Sequence, residues 1–121
     1  MTIGGTNDAE VWNFSQATLS GITLISALDG HDTIIGNQQH NIIDAGDGND
    51  FVDSGDGNDT LYGGGGFDIL HGGAGRDRIE GGAGNDFLDG GEEGDVYLYT
   101  SVVNDGFDAV SYTHLTLPTK A

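Results

Sequence analysis

Residues 45–89 read AGDGNDFVD, SGDGNDTLY, GGGGFDILH, GGAGRDRIE and GGAGNDFLD in consecutive blocks of nine. The same frame runs back through ALDGHDTII (27–35) and GNQQHNIID (36–44) and forward through GGEEGDVYL (90–98), without an insertion. Position six is Asp32, Asn41, Asp50, Asp59, Asp68, Asp77, Asp86 and Asp95. Position eight is Ile34, Ile43, Val52, Leu61, Leu70, Ile79, Leu88 and Tyr97. Position two is Gly in every unit from Gly46 to Gly91; position four is Gly except at Gln39 and Glu93. A period held over this length marks a repeat architecture rather than a random Gly/Asp linker. Collagen is excluded, because its Gly recurs every third residue.

One strongly apolar residue per block supports only a short strand with one inward side chain. Gly clusters on either side supply the turns with φ > 0 that reverse the backbone. Two blocks then close one flattened coil of roughly 18 residues, with a strand on each face and a turn at each edge, and the run winds about four coils. Two inward ladders are expected: Ile34, Val52, Leu70 and Leu88 on one sheet, and Ile43, Leu61, Ile79 and Tyr97 on the other. Such a core is thin, so the turns need a further source of stability.

The position-six carboxylates supply a reason for one. The winding stacks Asp32, Asp50, Asp68 and Asp86 along one coil edge, and Asn41, Asp59, Asp77 and Asp95 along the other. Carboxylates at the spacing of neighbouring strands repel each other, and 3 Lys plus Arg against 20 Asp plus Glu leave a formal charge of −17. A hard divalent cation between stacked pairs removes the repulsion and satisfies turn carbonyls. Ca²⁺ fits better than Mg²⁺, since it accepts six to eight oxygens in flexible geometry while Mg²⁺ dehydrates reluctantly. No His- or thiolate-rich set is present to select zinc or copper. The stretch Asp44 to Asp56 does not meet the EF-hand spacing. Asp47, Asp53, Asp56 and Asp89 lie outside position six, and their side chains read as a solvated face.

These blocks resemble the G-G-x-G-x-D-x-U-x nonapeptide of the RTX (haemolysin-type) calcium-binding repeat family, most closely between Ala45 and Gly91. The resemblance implies an all-β fold, a right-handed parallel β-roll (β-solenoid) of about four coils with an N-terminal capping segment. It also implies the ligand sets: main-chain oxygens of positions two and four and the Asp of one unit, with those of positions one and three and the Asp two units later. On one edge Leu28, Gly30 and Asp32 would face Ala45, Asp47 and Asp50; Gly46, Gly48 and Asp50 would face Gly63, Gly65 and Asp68. Gly64, Gly66 and Asp68 would face Gly81, Ala83 and Asp86. On the other edge Gly55, Gly57 and Asp59 would face Gly72, Ala74 and Asp77, and Gly73, Gly75 and Asp77 would face Gly90, Glu92 and Asp95. That gives about five calcium sites. A sixth, pairing Asn37, Gln39 and Asn41 with Ser54, Asp56 and Asp59, lacks a carboxylate and its turn Gly and is expected to be weak or empty.

Other chemistry is excluded by what the chain lacks. An acidic chain has no basic face for nucleic acid and no attraction to an anionic membrane surface. Cys is absent, which removes disulfides and Cys-ligated zinc. No apolar run is long enough to span a bilayer, and Met1 to Gly5 does not read as a signal peptide. His31, His40, His71 and His114 show no zincin spacing, and no G-x-S-x-G elbow or phosphate loop occurs. No enzyme activity is expected of this segment. His31 and His40, at position five, read as exposed edge residues.

Residues 1–26 fall out of register and are assigned to an N-terminal cap and degenerate repeat. Within them Trp12, Phe14, Leu19, Ile22 and Leu24 form an apolar stretch expected to cover the open end of the core. Residues 27–98 form the roll. Residues 99–109 resemble the start of the C-terminal segment of serralysin-like secreted proteins. Residues 110–121 resemble a translated sequencing adapter and are expected to lack a packed position, Leu115 and Leu117 included. Phe51, Ile69 and Phe87, at position seven, should align on one outer face, either as a dock for a neighbouring domain or as β-favouring residues. The expected function is that of a calcium-binding repeat module giving calcium-dependent folding and stability to a type I-secreted extracellular protein. The alternatives are a structural or adhesive segment of a large surface protein, or the remnant of a secreted metalloprotease or lipase.

Overall fold

Each block contributes one short strand, because only positions seven to nine combine a β-favouring run with freedom from turn glycines. The computed structural model describes residues 2–14, 23–92, 94–98 and 109–111, and all regular structure among them is β-strand. In chain order the strands are β1 (Thr2–Gly4), β2 (Val11–Asn13), β3 (Thr23–Ser26), β4 (Thr33–Ile35), β5 (Asn41–Asp44) and β6 (Phe51–Asp53). They continue as β7 (Thr60–Tyr62), β8 (Ile69–His71), β9 (Arg78–Glu80), β10 (Phe87–Asp89), β11 (Val96–Leu98) and β12 (Ala109–Ser111).

Successive strands alternate between two sheets. One has the order β1-β3-β5-β7-β9-β11 and the other β12-β10-β8-β6-β4-β2, with every pairing parallel. Ile34 pairs with Val52, Val52 with Leu70 and Leu70 with Leu88 on one sheet. Ile43 pairs with Leu61, Leu61 with Ile79 and Ile79 with Tyr97 on the other. Two nonapeptides therefore make each coil, and the molecule is a parallel β-solenoid. Both expected ladders form the core: from Ile34 to Leu88 and from Ile43 to Ile79 every member is fully buried. Tyr97 is half-buried and packs on its end. Ala27 and Ala45, at position one, add buried methyl groups between the sheets.

The turns depend on glycine at the points where coils touch. Gly48 has φ 118°, and a Cβ there would collide with the Gly30 carbonyl of the coil beneath. Leu28, with φ 76°, is the one non-glycine residue with positive φ among the described residues. That conformation costs a side-chain residue about 1–2 kcal/mol.

The winding begins upstream of the expected boundary at residue 27. Val11, Trp12 and Asn13 pair with Thr33, Ile34 and Ile35, while Thr2 to Gly4 pair with Leu24 to Ser26. Trp12 and Phe14 do lie on the core, with their rings 6.3 Å apart, but Ile25 rather than Leu24 is the inward residue of β3. Leu19 and Ile22 lie outside the described residues. Downstream, Val110 and Ser111 pair with Leu88 and Asp89, so these two residues of the expected unpacked tail extend a sheet instead. Leu115 and Leu117 lie outside the described residues. Phe51, Ile69 and Phe87 do align. The two Phe rings flank His71, at 5.6 and 6.1 Å, so the stripe is packed partly against its own face.

Replacing Leu70 by Ala should lower the stability of the calcium-loaded chain by about 2–5 kcal/mol in denaturant unfolding, since the side chain is fully buried. Replacing the exposed Arg78 by Ala should change it by less than about 0.5 kcal/mol.

Candidate metal centre

Period-two alternation brings the acidic residue of each block to the inner side of its coil. Position six precedes the inward position eight by two residues, so Asp68 and Leu70 face the same way and both are fully buried. The same holds for Asp32, Asp50, Asp59, Asp77 and Asp86, each no more than 3% exposed. Carboxylates held this deep need partners.

Half of each carboxylate finds one. Asp32 N donates to Asp50 Oδ1 at 2.7 Å, Asp50 N to Asp68 Oδ1 at 2.9 Å and Asp68 N to Asp86 Oδ1 at 2.9 Å. On the opposite edge Asn41 N donates to Asp59 Oδ1 at 2.7 Å, Asp59 N to Asp77 Oδ1 at 2.9 Å and Asp77 N to Asp95 Oδ1 at 2.8 Å. These are the two stacked rows expected from the sequence. The second oxygen, Oδ2, of Asp32, Asp50, Asp59 and Asp68 is buried with no hydrogen-bond partner.

Burial disfavours the charged form and pushes these groups above the ordinary carboxylate range. Asp50 rises to about 6, Asp59 to about 7 and Asp68 to about 8. Desolvation is the main cause in each case and is only partly offset by the backbone amide, joined at Asp59 by the Ser54 hydroxyl. For Asp68 the charges of Asp86 and Asp50 raise it further. Asp32 is also raised, again mainly by burial. With 3 Lys plus Arg in the chain, positive side chains cannot balance these rows.

Main-chain oxygens complete the surroundings. A Cβ on Gly63 would sit 2.6 Å from both Asp68 Oδ2 and the carbonyl oxygen of Gly81, so these two oxygens border one small space between coils. Gly72, Gly81 and Gly90 likewise leave room against Oδ2 of Asp77, Asp86 and Asp95. Carbonyls of Leu28, Gly46, Gly64 and Gly73 accept the amides of Asp47, Gly65, Ala83 and Glu92 at 2.9–3.2 Å. Each retains a second lone pair. Gly65 O likewise accepts Gly48 N at 3.0 Å and keeps its second lone pair. Glycines at positions two and four stack over the carbonyls of the coil beneath, as Gly66 does over Gly48 and Gly75 over Gly57. Among the described residues no three His, Cys, Asp or Glu side chains converge. An ion here must therefore draw on main-chain oxygens as well as carboxylates, which is hard-cation chemistry.

One turn solves the same problem without charge. Asn41 Nδ2 donates to Asn37 Oδ1 at 3.0 Å, and Asn37 N donates to Asn41 Oδ1 at 3.2 Å. The carboxamide binds its own turn where aspartate leaves Oδ2 over. This is the position at which a weak sixth site was expected.

Position five carries a contact that sequence reasoning missed. Asn49 N donates to His31 Nδ1 at 2.8 Å and Phe67 N to Asn49 Oδ1 at 2.8 Å. On the other edge Asn58 N donates to His40 Nδ1 at 2.8 Å and Arg76 N to Asn58 Oδ1 at 2.9 Å. His31 and His40 are exposed, as expected, yet they tie coil to coil. The signal was present: His and Asn place an acceptor the same number of bonds from Cα.

A family model described as the RTX calcium-binding nonapeptide repeat (4 copies) matches residues 26–61 and 62–97, more than half of the chain. The chain belongs to the RTX calcium-binding repeat family. No curated protein and no solved structure matches it. The buried carboxylates from Asp32 to Asp86 lie within the matched repeats, and an oxygen-only donor set suits calcium.

The raised values fix the pH dependence. A folded chain without metal keeps protons on these aspartates that an unfolded chain releases, so this contribution is complete in acid and is lost as pH rises through about 6 to 8. Calcium competes with those protons. Its apparent affinity should therefore strengthen over the same interval, measured by calcium titration at several pH values. Asn41→Asp should raise the bound calcium by about one ion and weaken the calcium-free fold, read by equilibrium dialysis and thermal unfolding.

Proposed function

We propose that this chain is a folding and stabilising module in which calcium binding and winding of the roll are one transition. The observation that carries this reading is the set of buried, unpartnered Oδ2 atoms of Asp32, Asp50, Asp59 and Asp68. Without a cation, closing the coils buries charge beside charge. With one, the same closure forms ligand sets, about five by the position-wise pairing of Asp32 through Asp95.

Magnitudes favour a conditional fold. A site that binds only the folded chain adds about 2.7 kcal/mol when free calcium is about 100 times Kd. Five independent sites would add about 13 kcal/mol, comparable to the whole stability of a typical domain at about 5–15 kcal/mol. Extracellular calcium modules work at about 10⁻⁴–10⁻³ M. A chain of charge −17 would stay extended at lower calcium and fold after export. The module then serves a secreted, extracellular protein, with type I export as the route that family membership suggests.

Circular dichroism during a calcium titration, with magnesium as control, tests this. The expected result is a cooperative gain of β-structure in calcium that magnesium does not reproduce. A spectrum indifferent to calcium overturns the function, and an equal response to magnesium overturns the ion.

A further inference from the structure

The segment Gly5-Thr6-Asn7-Asp8-Ala9-Glu10 lies outside the residues matched to the family and lacks its motif. Its main chain nevertheless reproduces the turn stacked upon it, Ala27 to Asp32, contact for contact. Gly5 N donates to Ser26 O at 2.7 Å, as Ala27 N does to Asp44 O at 2.9 Å. Thr6 O accepts Asp29 N at 3.2 Å, as Leu28 O accepts Asp47 N at 2.9 Å. Thr33 N donates to Glu10 O at 2.8 Å, as Phe51 N does to Asp32 O at 2.9 Å. Glu10 N donates to Asp32 Oδ1 at 2.8 Å, as Asp32 N does to Asp50 Oδ1 at 2.7 Å. Glu10 therefore stands at position six. The coil here spans 22 residues instead of 18. Asn13 pairs with Ile35 and Leu24 with Ile42, so in the chain the surplus falls between Asn13 and Leu24.

The oxygens are arranged as at the aspartate turns. A Cβ on Gly5 would meet both Glu10 Oε2 and the Ala27 carbonyl oxygen, the counterparts of Asp68 Oδ2 and Gly81 O around Gly63. The extra methylene of glutamate is taken up by Thr6, whose amide donates to Glu10 Oε1 at 2.8 Å and whose hydroxyl donates to the same oxygen. Glu10 Oε2 is left buried and without a partner. Asp32 is 2% exposed, and its Oδ2 is in the same condition. The Asp8 carbonyl lies beneath Gly30, as the Gly30 carbonyl lies beneath Gly48.

We propose that Glu10 and Asp32, with the main-chain oxygens of Asp8 and Ala27, form a further calcium site at the N-terminal end of the roll. This rests on the reading that the aspartate turns take calcium. Glutamate replaces aspartate there, and the longer winding hides the turn from a nine-residue frame.

Trp12, the one Trp of the chain, lies on β2 two residues after Glu10 and makes a local reporter. The full chain is loaded with terbium in place of calcium and excited where Trp alone absorbs. Sensitised emission is expected from the wild type and most of it should vanish in Glu10→Gln, with calcium stoichiometry lower by about one ion. Glu10→Asp should retain emission. Asp95→Asn, at the far end, should lower the stoichiometry and leave Trp12-sensitised emission unchanged. A wild type without such emission overturns the site, whether or not Glu10→Gln folds. So does a Glu10→Gln chain with unchanged emission and stoichiometry. If the wild type still gains β-structure in calcium, this site alone has failed; if it does not, the function proposed above fails with it.

Discussion

The roll depends on a parity. In a strand every second side chain faces the same way, and this repeat places its aspartate two residues before its core aliphatic. The carboxylate and the apolar side chain are therefore carried inward together. Asp50 and Val52, Asp59 and Leu61, Asp68 and Leu70 share their burial for this reason. No rotation of the strand can bury the aliphatic row and leave the acidic row in water. Apolar burial favours closing the coil, and the desolvated carboxylates oppose it.

The backbone settles half of that conflict. Each inward carboxylate takes an amide from the coil before it, which orients the group and fixes the vertical register of the turns. At Asp68, Asp77, Asp86 and Asp95 the other oxygen, Oδ2, borders the space left by the glycine at position one of the same block. Lengthening that glycine to alanine is tolerated at Ala27 and Ala45, whose methyl groups are buried between the sheets. Gly63 has no such freedom, because Asp68 Oδ2 and Gly81 O already border the volume. Glycine here is a question of room for oxygen, and only at positions two and four one of backbone angle.

Most of the winding was legible in the sequence because a single period governs strands, turns and acidic rows alike. Both ladders and both stacked edges follow from counting by nine and pairing every second block. Two of the features that escaped have a common cause. Glu10 lies 22 residues before Asp32, so a fixed frame walks past it although the local turn is intact. Val110 pairs with Leu88 at a spacing that the frame likewise does not reach. The strands on either side of these interruptions keep their parallel neighbours all the same. The His31–Asn49 and His40–Asn58 contacts escaped for another reason. An exposed histidine reads as surface, and only the stacked geometry reveals that a main-chain amide of the next coil points at its ring.

The turn closed by Asn37 and Asn41 makes the molecule uneven along its length. Its amide pair is electrically neutral, and its tie to the next coil is the hydrogen bond from Asn41 N to Asp59 Oδ1. Within the acidic ladder this turn is a neutral step, so a loss of ions would reach it only through the carboxylate that accepts Asn41 N.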